Sequence, residues 1–452
     1  MSIEQNSPKK IYLETLGCSK NRVDSEIMMA SLKSSGFQLT MRPESADVIV
    51  VNTCAFLTAA TEESINRILE LSDYKSIGNC EKLVATGCLS QRYGQDLMGN
   101  IPELDGLLGS NNFDKIPQLV RQMYENTENP QIFLNQKPHY SQYPNQNRIL
   151  STPSHFAYIK VAEGCSNMCS FCNIPFLRGG FSSRSIDSIK DEIRELTEQG
   201  VKEINIISQD TSSYGLDFKN GTNLEDLISG ISLIPGDFWI RLFYCYPNTF
   251  SEKALKMMSD DHRFCHYLDM PFQHVDDQIL KDMNRKITEK QIRTKIDQIR
   301  HYLPDAAIRT TFIVGFPTET DQHFEKLLGF VKEGHFTHIG VFPYSHEDNI
   351  RSAKWGDPVS NVTKKQRKDL LMKAQQELSL TKNSDYVGKQ LKVLVDGVSE
   401  ESELLLQGRS QFQGPEVDGI VYINDGEAVP GSFHMVEITD AHPYDLVGHI
   451  VA

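Results

Sequence analysis

Cys165, Cys169 and Cys172, in the run EGCSNMCSFCNIP, form a C-x-x-x-C-x-x-C array that offers three thiolates and no fourth. Structural zinc and iron-sulfur sites normally take four protein ligands, so three leave one metal position open to a reacting molecule. On a four-iron, four-sulfur cluster the bare iron could take the amino and carboxylate groups of S-adenosylmethionine, which opens radical chemistry. The same spacing also suits a structural zinc site completed by a distant His or Cys.

A second trio sits in the N-terminal third. The runs KIYLETLG, DVIVVNT and KLVATG are each followed directly by a cysteine, Cys18, Cys54 and Cys88, at separations of 36 and 34 residues. Polar segments of helical periodicity follow each run, so the pattern predicts βαβ units and a doubly wound parallel sheet. In such a sheet the carboxyl ends of the strands line the ligand crevice, which would bring the three thiols together. Each could also be an ordinary buried cysteine. Cys80, Cys245 and Cys265 share no such spacing and read as core residues.

These cysteines need a scaffold. FAYIKVAEG, EINIISQD, WIRLFYCYP, YLDMPFQHV, IRTTFIVGFP and HIGVFPYS read as six strands separated by helices, one of them marked by Ile186, Ile189, Ile193 and Leu196 and closed by Gly200. That predicts an α/β core built as a (β/α)6 partial barrel, with its chemistry at the C-terminal strand ends. Phe171, Gln209, Asp210, Gly315 and Glu319 fall there as candidate cofactor contacts. Gln209 and Asp210 could instead cap the next segment, and Gly315 could serve only a tight turn. Tyr244 and Tyr246 flank Cys245 and are expected to share one strand face. His274 is a proton carrier or a hydrogen-bonded core residue. Arg178 and Arg184 steer a carboxylate or phosphate, or are merely solvated. Expected boundaries are 9–126 for the first domain, 127–150 for a Pro- and Asn-rich linker, 151–385 for the partial barrel and 386–452 for a last module.

That last module carries short β-rich runs, QLKVLVDGV, ELLLQGRS, GIVYIND and FHMVEITDA, which predict a small five-stranded antiparallel barrel. It is reached through TKKQRKDLLMKAQQELSLTKN, a helical pattern with Leu371, Ala374 and Leu378 on one face. The module holds eleven acidic residues against Lys389, Lys392 and Arg409, a net of -8 out of -14 for the whole chain. A surface of that sign repels a nucleic-acid backbone and attracts a basic partner. The chain has no run of eighteen apolar residues and no apolar stretch behind its first lysines, which predicts neither a membrane span nor a signal peptide. Nine cysteines, an odd number, fit reduced thiols and a cytoplasmic protein.

Across nearly its whole length the chain resembles the radical S-adenosylmethionine methylthiotransferases, whose order is a three-cysteine domain, a radical barrel and a C-terminal TRAM domain. GCSKNRVDSE, YCYP, DMPFQHVDDQILKDMNR and PYDLVG are similar to patterns of the RimO type, which modifies an aspartate of small-subunit ribosomal protein twelve. The MiaB type, which modifies an isopentenyladenosine of transfer RNA, typically carries G-C-Q-M-N, T-S-H-P and P-x-Q-S at the first three. The chain departs from the family at Ser19 for a proline, Ser182 for an arginine, Thr318 for a glycine, and HEDNIRSA for an E-E-G-T stretch.

The resemblance implies two 4Fe-4S clusters, one on Cys18, Cys54 and Cys88 and one on Cys165, Cys169 and Cys172. The second would bind and reductively cleave S-adenosylmethionine; the first would hold the sulfur to be transferred. One S-adenosylmethionine would methylate that sulfur and a second would generate the radical that takes hydrogen from the aspartate β-carbon, a position too weakly acidic for a side-chain base. Phe171 and Phe176 would help wall off water. Implied partners are ribosomal protein twelve or the 30S subunit, met by the acidic TRAM domain, and an electron donor such as flavodoxin or ferredoxin. Two competing readings are transfer-RNA methylthiolation and a non-catalytic metal-binding ribosome assembly factor.

Overall fold

A computed structural model describes residues 8–126, 130–134 and 147–451. Most of the expected 127–150 linker lies outside the described residues. The chain divides into two compact units. The first comprises Met1–Ser151 with Ala162–Asn167 and Cys172–Ser182; the second comprises Thr152–Val161, Met168–Phe171 and Ser183–Ala452.

The first unit is built on six parallel strands: β1 (Lys10–Thr15), β2 (Gln38–Leu39), β3 (Val48–Thr53), β4 (Lys82–Gly87), β5 (Gly106–Gly109) and β6 (Gln131–Phe133). Their order is β2-β1-β3-β4-β5-β6, so β1, β3 and β4 are immediate neighbours. Every residue of β3, VIVVNT, is buried, as expected for a parallel strand covered on both faces. One face packs Ile49, Val51, Leu83 and Ala85 against Ile68, Leu71, Leu89 and Leu97 of the helices Thr58–Ser72 and Cys88–Asn100. Helices Ser19–Ser34 and Ile116–Glu125 pack together on the sheet's other side. This is the doubly wound arrangement, with its topological switch between β1 and β3. The unit also contains β8 (Ala162–Glu163), which pairs with the two-residue β9 (Ser182–Ser183).

The second unit holds β7 (Phe156–Lys160), β10 (Glu203–Ile207), β11 (Trp239–Leu242), β12 (Phe264–Asp269), β13 (Ala307–Val314) and β14 (His338–Pro343) in one parallel sheet ordered β14-β13-β12-β11-β10-β7. All six expected strands are present, each in sequential register with the next. Tyr244 and Tyr246 do not share a strand face. β11 ends at Leu242, and Tyr244 takes φ +59°, a left-handed conformation that breaks the alternation of a strand. Cys245 and Cys265 are buried here, and Cys80 in the first unit.

The helix Asn361–Ser384, with Leu371 and Ala374 buried, leads to β15 (Gln390–Val398), β16 (Leu406–Ser410), β17 (Val421–Asp425), β18 (Phe433–Ala441) and β19 (Leu446–Ile450). These close into a five-stranded barrel, β15-β16-β17-β19-β18, around Val393, Val395, Val421, Ile423, Val436, Ile438 and Leu446. The barrel is not wholly antiparallel: β17 and β19 run parallel. A Greek-key barrel closes by bringing its last strand beside the third across the intervening fourth, and that connection fixes the direction.

The loop joining β16 to β17 reaches the N-terminal half of the partial barrel. Tyr158 Oη donates to the Pro415 carbonyl at 3.3 Å, and Tyr267 Oη donates to Asp418 at 2.6 Å. Gly414 has no room for a side chain there, because a Cβ would lie 2.9 Å from both Phe243 and the Tyr267 hydroxyl.

Candidate active site

Cys18, Cys54 and Cys88 lie just beyond the carboxyl ends of β1, β3 and β4, three consecutive strands of the sheet. Neighbouring strands are about 4.8 Å apart, so topology alone brings the three within reach of one inorganic core. Gly17 and Gly87 make the turns that deliver two of them. Both have positive φ, and a Cβ on Gly17 would lie 2.8 Å from Cys54 Cβ, so only glycine allows that approach. Cys18 is the N-cap of Ser19–Ser34, and Cys88 opens Cys88–Asn100. Both sulfurs therefore sit at positive helix ends, which favour anionic ligands.

All three thiols are free; Cys18 is exposed and Cys88 buried. Burial pushes the Cys54 thiol up to about 11 and raises that of Cys88, and the charges of the three sulfurs interact. Among the described residues no three His, Cys, Asp or Glu side chains converge on a single-ion site. Ser19 Oγ and Ser90 Oγ, beside Cys18 and Cys88, are buried with no hydrogen-bond partner. Three thiols with idle buried donors around them suit an anionic sulfur-rich group.

Arg178 belongs to this site, which the sequence did not reveal. Far from solvated, its side chain is 2% exposed. It donates to Asp24 at 2.7 Å and Glu163 at 3.2 Å, and also to Asn21. Cys165 and Cys172 share this first unit, where the Cys165 N–H donates to the Gly179 carbonyl at 3.1 Å. Arg184 is buried too, in the second unit, donating to Glu192 and the Lys160 carbonyl. Neither arginine is positioned to steer a ligand from solvent.

The second unit holds Cys169 from residues 282–285. Asn284 donates to the Met168 carbonyl at 2.8 Å, the Ser170 N–H donates to the Met283 carbonyl, and Arg285 donates to Cys169 Sγ at 3.8 Å. Arg285 also lies 4.0 Å from the centre of the Tyr246 ring, and Tyr246 feels the charges of both Cys169 and Asp210. Tyr246 thus joins the cysteine loop to the end of β10. Asp210 itself accepts from the Ser212 and Ser213 hydroxyls at 2.7 and 2.6 Å; it stands at the N-cap of Thr211–Ser213, but its side chain caps no backbone N–H there. Gln209 precedes it in the same turn. Phe171 packs against Ile279, Met283, Phe316 and Tyr344, beside the Gly315–Glu319 turn. Phe176, in the first unit, is 60% exposed and walls off nothing there.

Gly315, at φ +72°, donates to Glu319 at 2.9 Å, and a Cβ would meet Lys364 Cγ at 2.3 Å. Glu319 also accepts from Arg367 at 2.8 Å. Burial nevertheless pushes its carboxyl up to about 7. His274 is fully buried, and its Nδ1 accepts the Asp276 N–H at 3.0 Å, which leaves the ring proton on Nε2, 3.9 Å from Glu319. Burial pushes the imidazole down to about 3, so at working pH it is neutral, holding the one Nε2 proton and taking up no second. An unfolded chain takes up this proton near 6.5 and the fold does not until about 3, so protonation costs stability as pH falls through that window. Relative to wild type, His274→Asn should gain about 1.4 kcal/mol per pH unit below 6.5. Parallel urea-unfolding stabilities of the two apo chains across pH 3–7 would refute this assignment.

Residues 10–109 match the family described as uncharacterized protein family UPF0004, residues 159–331 the radical SAM superfamily, and residues 387–451 the TRAM domain. A six-stranded parallel half-barrel with a C-x-x-x-C-x-x-C array after its first strand, in that company, defines a radical S-adenosylmethionine transferase with iron-sulfur chemistry. A protein of Bdellovibrio bacteriovorus named ribosomal protein uS12 methylthiotransferase RimO is 44% identical over 456 residues, spanning 100% of this chain and 99% of that protein. One of the same name from Syntrophotalea carbinolica is 44% identical over 98% of this chain and 97% of its own length. The chain belongs to the RimO family of methylthiotransferases. Among solved structures it resembles in fold the radical S-adenosylmethionine methyltransferase TsrM of Kitasatospora setae, with TM-score 0.57 at 13% identity, covering 76% of this chain and 77% of that one. It is also similar to the cobalamin-dependent radical enzyme OxsB, with TM-score 0.53 at 11% identity, covering 81% of this chain and 56% of that one.

Proposed function

We propose that this enzyme methylthiolates the β-carbon of an aspartate in small-subunit ribosomal protein twelve, consuming two S-adenosylmethionines and a sulfur donor. The observation that carries this reading is the end-to-end similarity to proteins named uS12 methylthiotransferase, at up to 44% identity. Placement of Cys18, Cys54 and Cys88 at three consecutive strand ends supports a sulfur-holding site distinct from the C-x-x-x-C-x-x-C array. When bound, a four-iron cluster on Cys165, Cys169 and Cys172 supplies S-adenosylmethionine cleavage and hydrogen-abstracting chemistry, and one on Cys18, Cys54 and Cys88 supplies a holder for sulfur.

The chain's own residues prepare for this. Asn284 and Arg285 fix the Cys169 loop, and Arg285 adds positive charge at that sulfur. Phe171, packed on Phe316, keeps one wall dry. The Gly315–Glu319 turn, locked by Arg367, and the Gln209–Asp210 turn supply the remaining cofactor contacts. The work is divided among domains at 9–126, 151–385 and 386–452, in the cytoplasm, with reducing equivalents from a flavodoxin or ferredoxin.

Substrate docking falls to one end of the C-terminal barrel. Its net charge overstates its free acidity, because Asp396 is spent on Arg409, Asp418 on Arg309 and Glu416 on Tyr158. Glu400, Glu401, Glu403 and Glu427, on loops, and Asp425, the last residue of β17, stay exposed at the end of the barrel where Leu406 pairs with Ile423. Five carboxylates at one rim suit a basic protein and repel bare RNA. Incubation with S-adenosylmethionine, dithionite and sulfide should place a methylthio group on ribosomal protein twelve or assembled small subunits, read by mass spectrometry. Modification of transfer RNA instead would overturn the assignment.

A further inference from the structure

Arg178 is a buried charge whose neighbours come from the flanks of both cysteine motifs. Asn21 and Asp24 lie on the first two turns after Cys18; Glu163 lies just before Cys165, and Arg178 itself six residues after Cys172. All four belong to the first unit. The guanidinium donates to Asn21, whose amide in turn donates to the Leu16 carbonyl at 2.9 Å and the Thr53 carbonyl at 3.0 Å, in the turns that carry Cys18 and Cys54, and its charge acts on all three sulfurs. Desolvating a guanidinium is costly, and an ion pair buried merely for stability is often replaceable by apolar residues without loss. Its position against three thiols supplies a reason of another kind.

We propose that Arg178 is a positioning residue for the Cys18, Cys54 and Cys88 centre, a fixed countercharge that stabilises the negative charge added when that centre takes up one electron or binds hydrosulfide. This rests on the reading of the trio as an iron-sulfur site. Asp24, Glu163 and Asn21 hold the guanidinium in one orientation, so its field needs no rearrangement at the moment of charging. The same two carboxylates set the sign of every variant. Removing Arg178 leaves both uncompensated beside the sulfurs, whereas neutralising Asp24 leaves the arginine less shielded.

The test uses the full-length chain carrying Cys165→Ala, Cys169→Ala and Cys172→Ala, so that only the other trio reports. After anaerobic reconstitution, iron is counted, and the reduced fraction is followed by electron paramagnetic resonance during a dithionite titration with mediator dyes. Arg178→Gln should lower the reduced-to-oxidised ratio at fixed potential by about tenfold or more, a 59 mV shift for a one-electron couple. Arg178→Lys should restore most of it, and Asp24→Asn should shift it the other way. Equal potentials in iron-loaded Arg178→Gln and its parent would overturn the role of Arg178. Should Arg178→Gln fail to load iron, an unshifted Asp24→Asn would overturn it equally. A parent without iron would instead sink the reading of the trio.

Discussion

Cys165→Ala should abolish deoxyadenosine formation from S-adenosylmethionine and halve the iron of the reconstituted chain, from about eight per chain to about four. The two losses have one cause. Cys165, Cys169 and Cys172 offer three donors, and with two left no four-iron cluster is retained at an open site. Cys88→Ala should leave the complementary half: about four irons and deoxyadenosine formation remain, while methylthiolation of the substrate stops. Cys88 is the sharper choice in its trio because it is buried at a helix start within reach of Arg178, where no water or exposed side chain can take its place. Iron counting and product chromatography on the two variants separate these outcomes. Four irons in fully reconstituted wild type would eliminate the sulfur-holding site and leave the trio as ordinary free thiols.

Arg409→Ala should destabilise the second unit by about 3–5 kcal/mol, the usual cost of stranding a buried partner. Arg409, on β16, grips Asp396 with two nitrogens at 2.9 and 2.8 Å and Glu203 at 2.6 Å. Glu203 is the first residue of β10, has no exposed surface and also takes Arg241 at 2.9 Å; His155 reaches Asp396 at 2.8 Å. Truncation would leave Glu203 with one cation and Asp396 with only a histidine. This lattice lies at the N-terminal strand ends, so it fastens the C-terminal barrel opposite the edge that carries the chemistry. Thermal and urea unfolding should show the loss with the iron centres intact. A change below about 1 kcal/mol would mean that surface ion pairing, not burial, describes the network.

Local spacing was enough to reveal the C-x-x-x-C-x-x-C array, because metal donors on one loop are neighbours whatever the rest of the chain does. A fully buried parallel strand such as β3 declares itself as a mostly apolar run, and the cysteine after each of three β-rich runs disclosed a shared edge before any strand order was known. The turn at Asp210 was legible as well, although its carboxylate takes the hydroxyls of Ser212 and Ser213 and caps no backbone N–H.

What needed the fold was every pairing across sequence distance. That β1, β3 and β4 are consecutive depends on the crossovers, which no single run encodes. Arg178 reads on paper like any solvated cation; only packing shows it sealed beside three thiols, because desolvation is a property of what surrounds a side chain. The acidic balance of the last module was likewise countable, but which carboxylates are spent on Arg409, Arg309 and Tyr158 depends on long-range contacts. Tyr244 at φ +59° and the parallel β17–β19 pair belong to the same class. Donor types and local periodicity set what chemistry is available; tertiary contacts decide which charges stay free to take part in it.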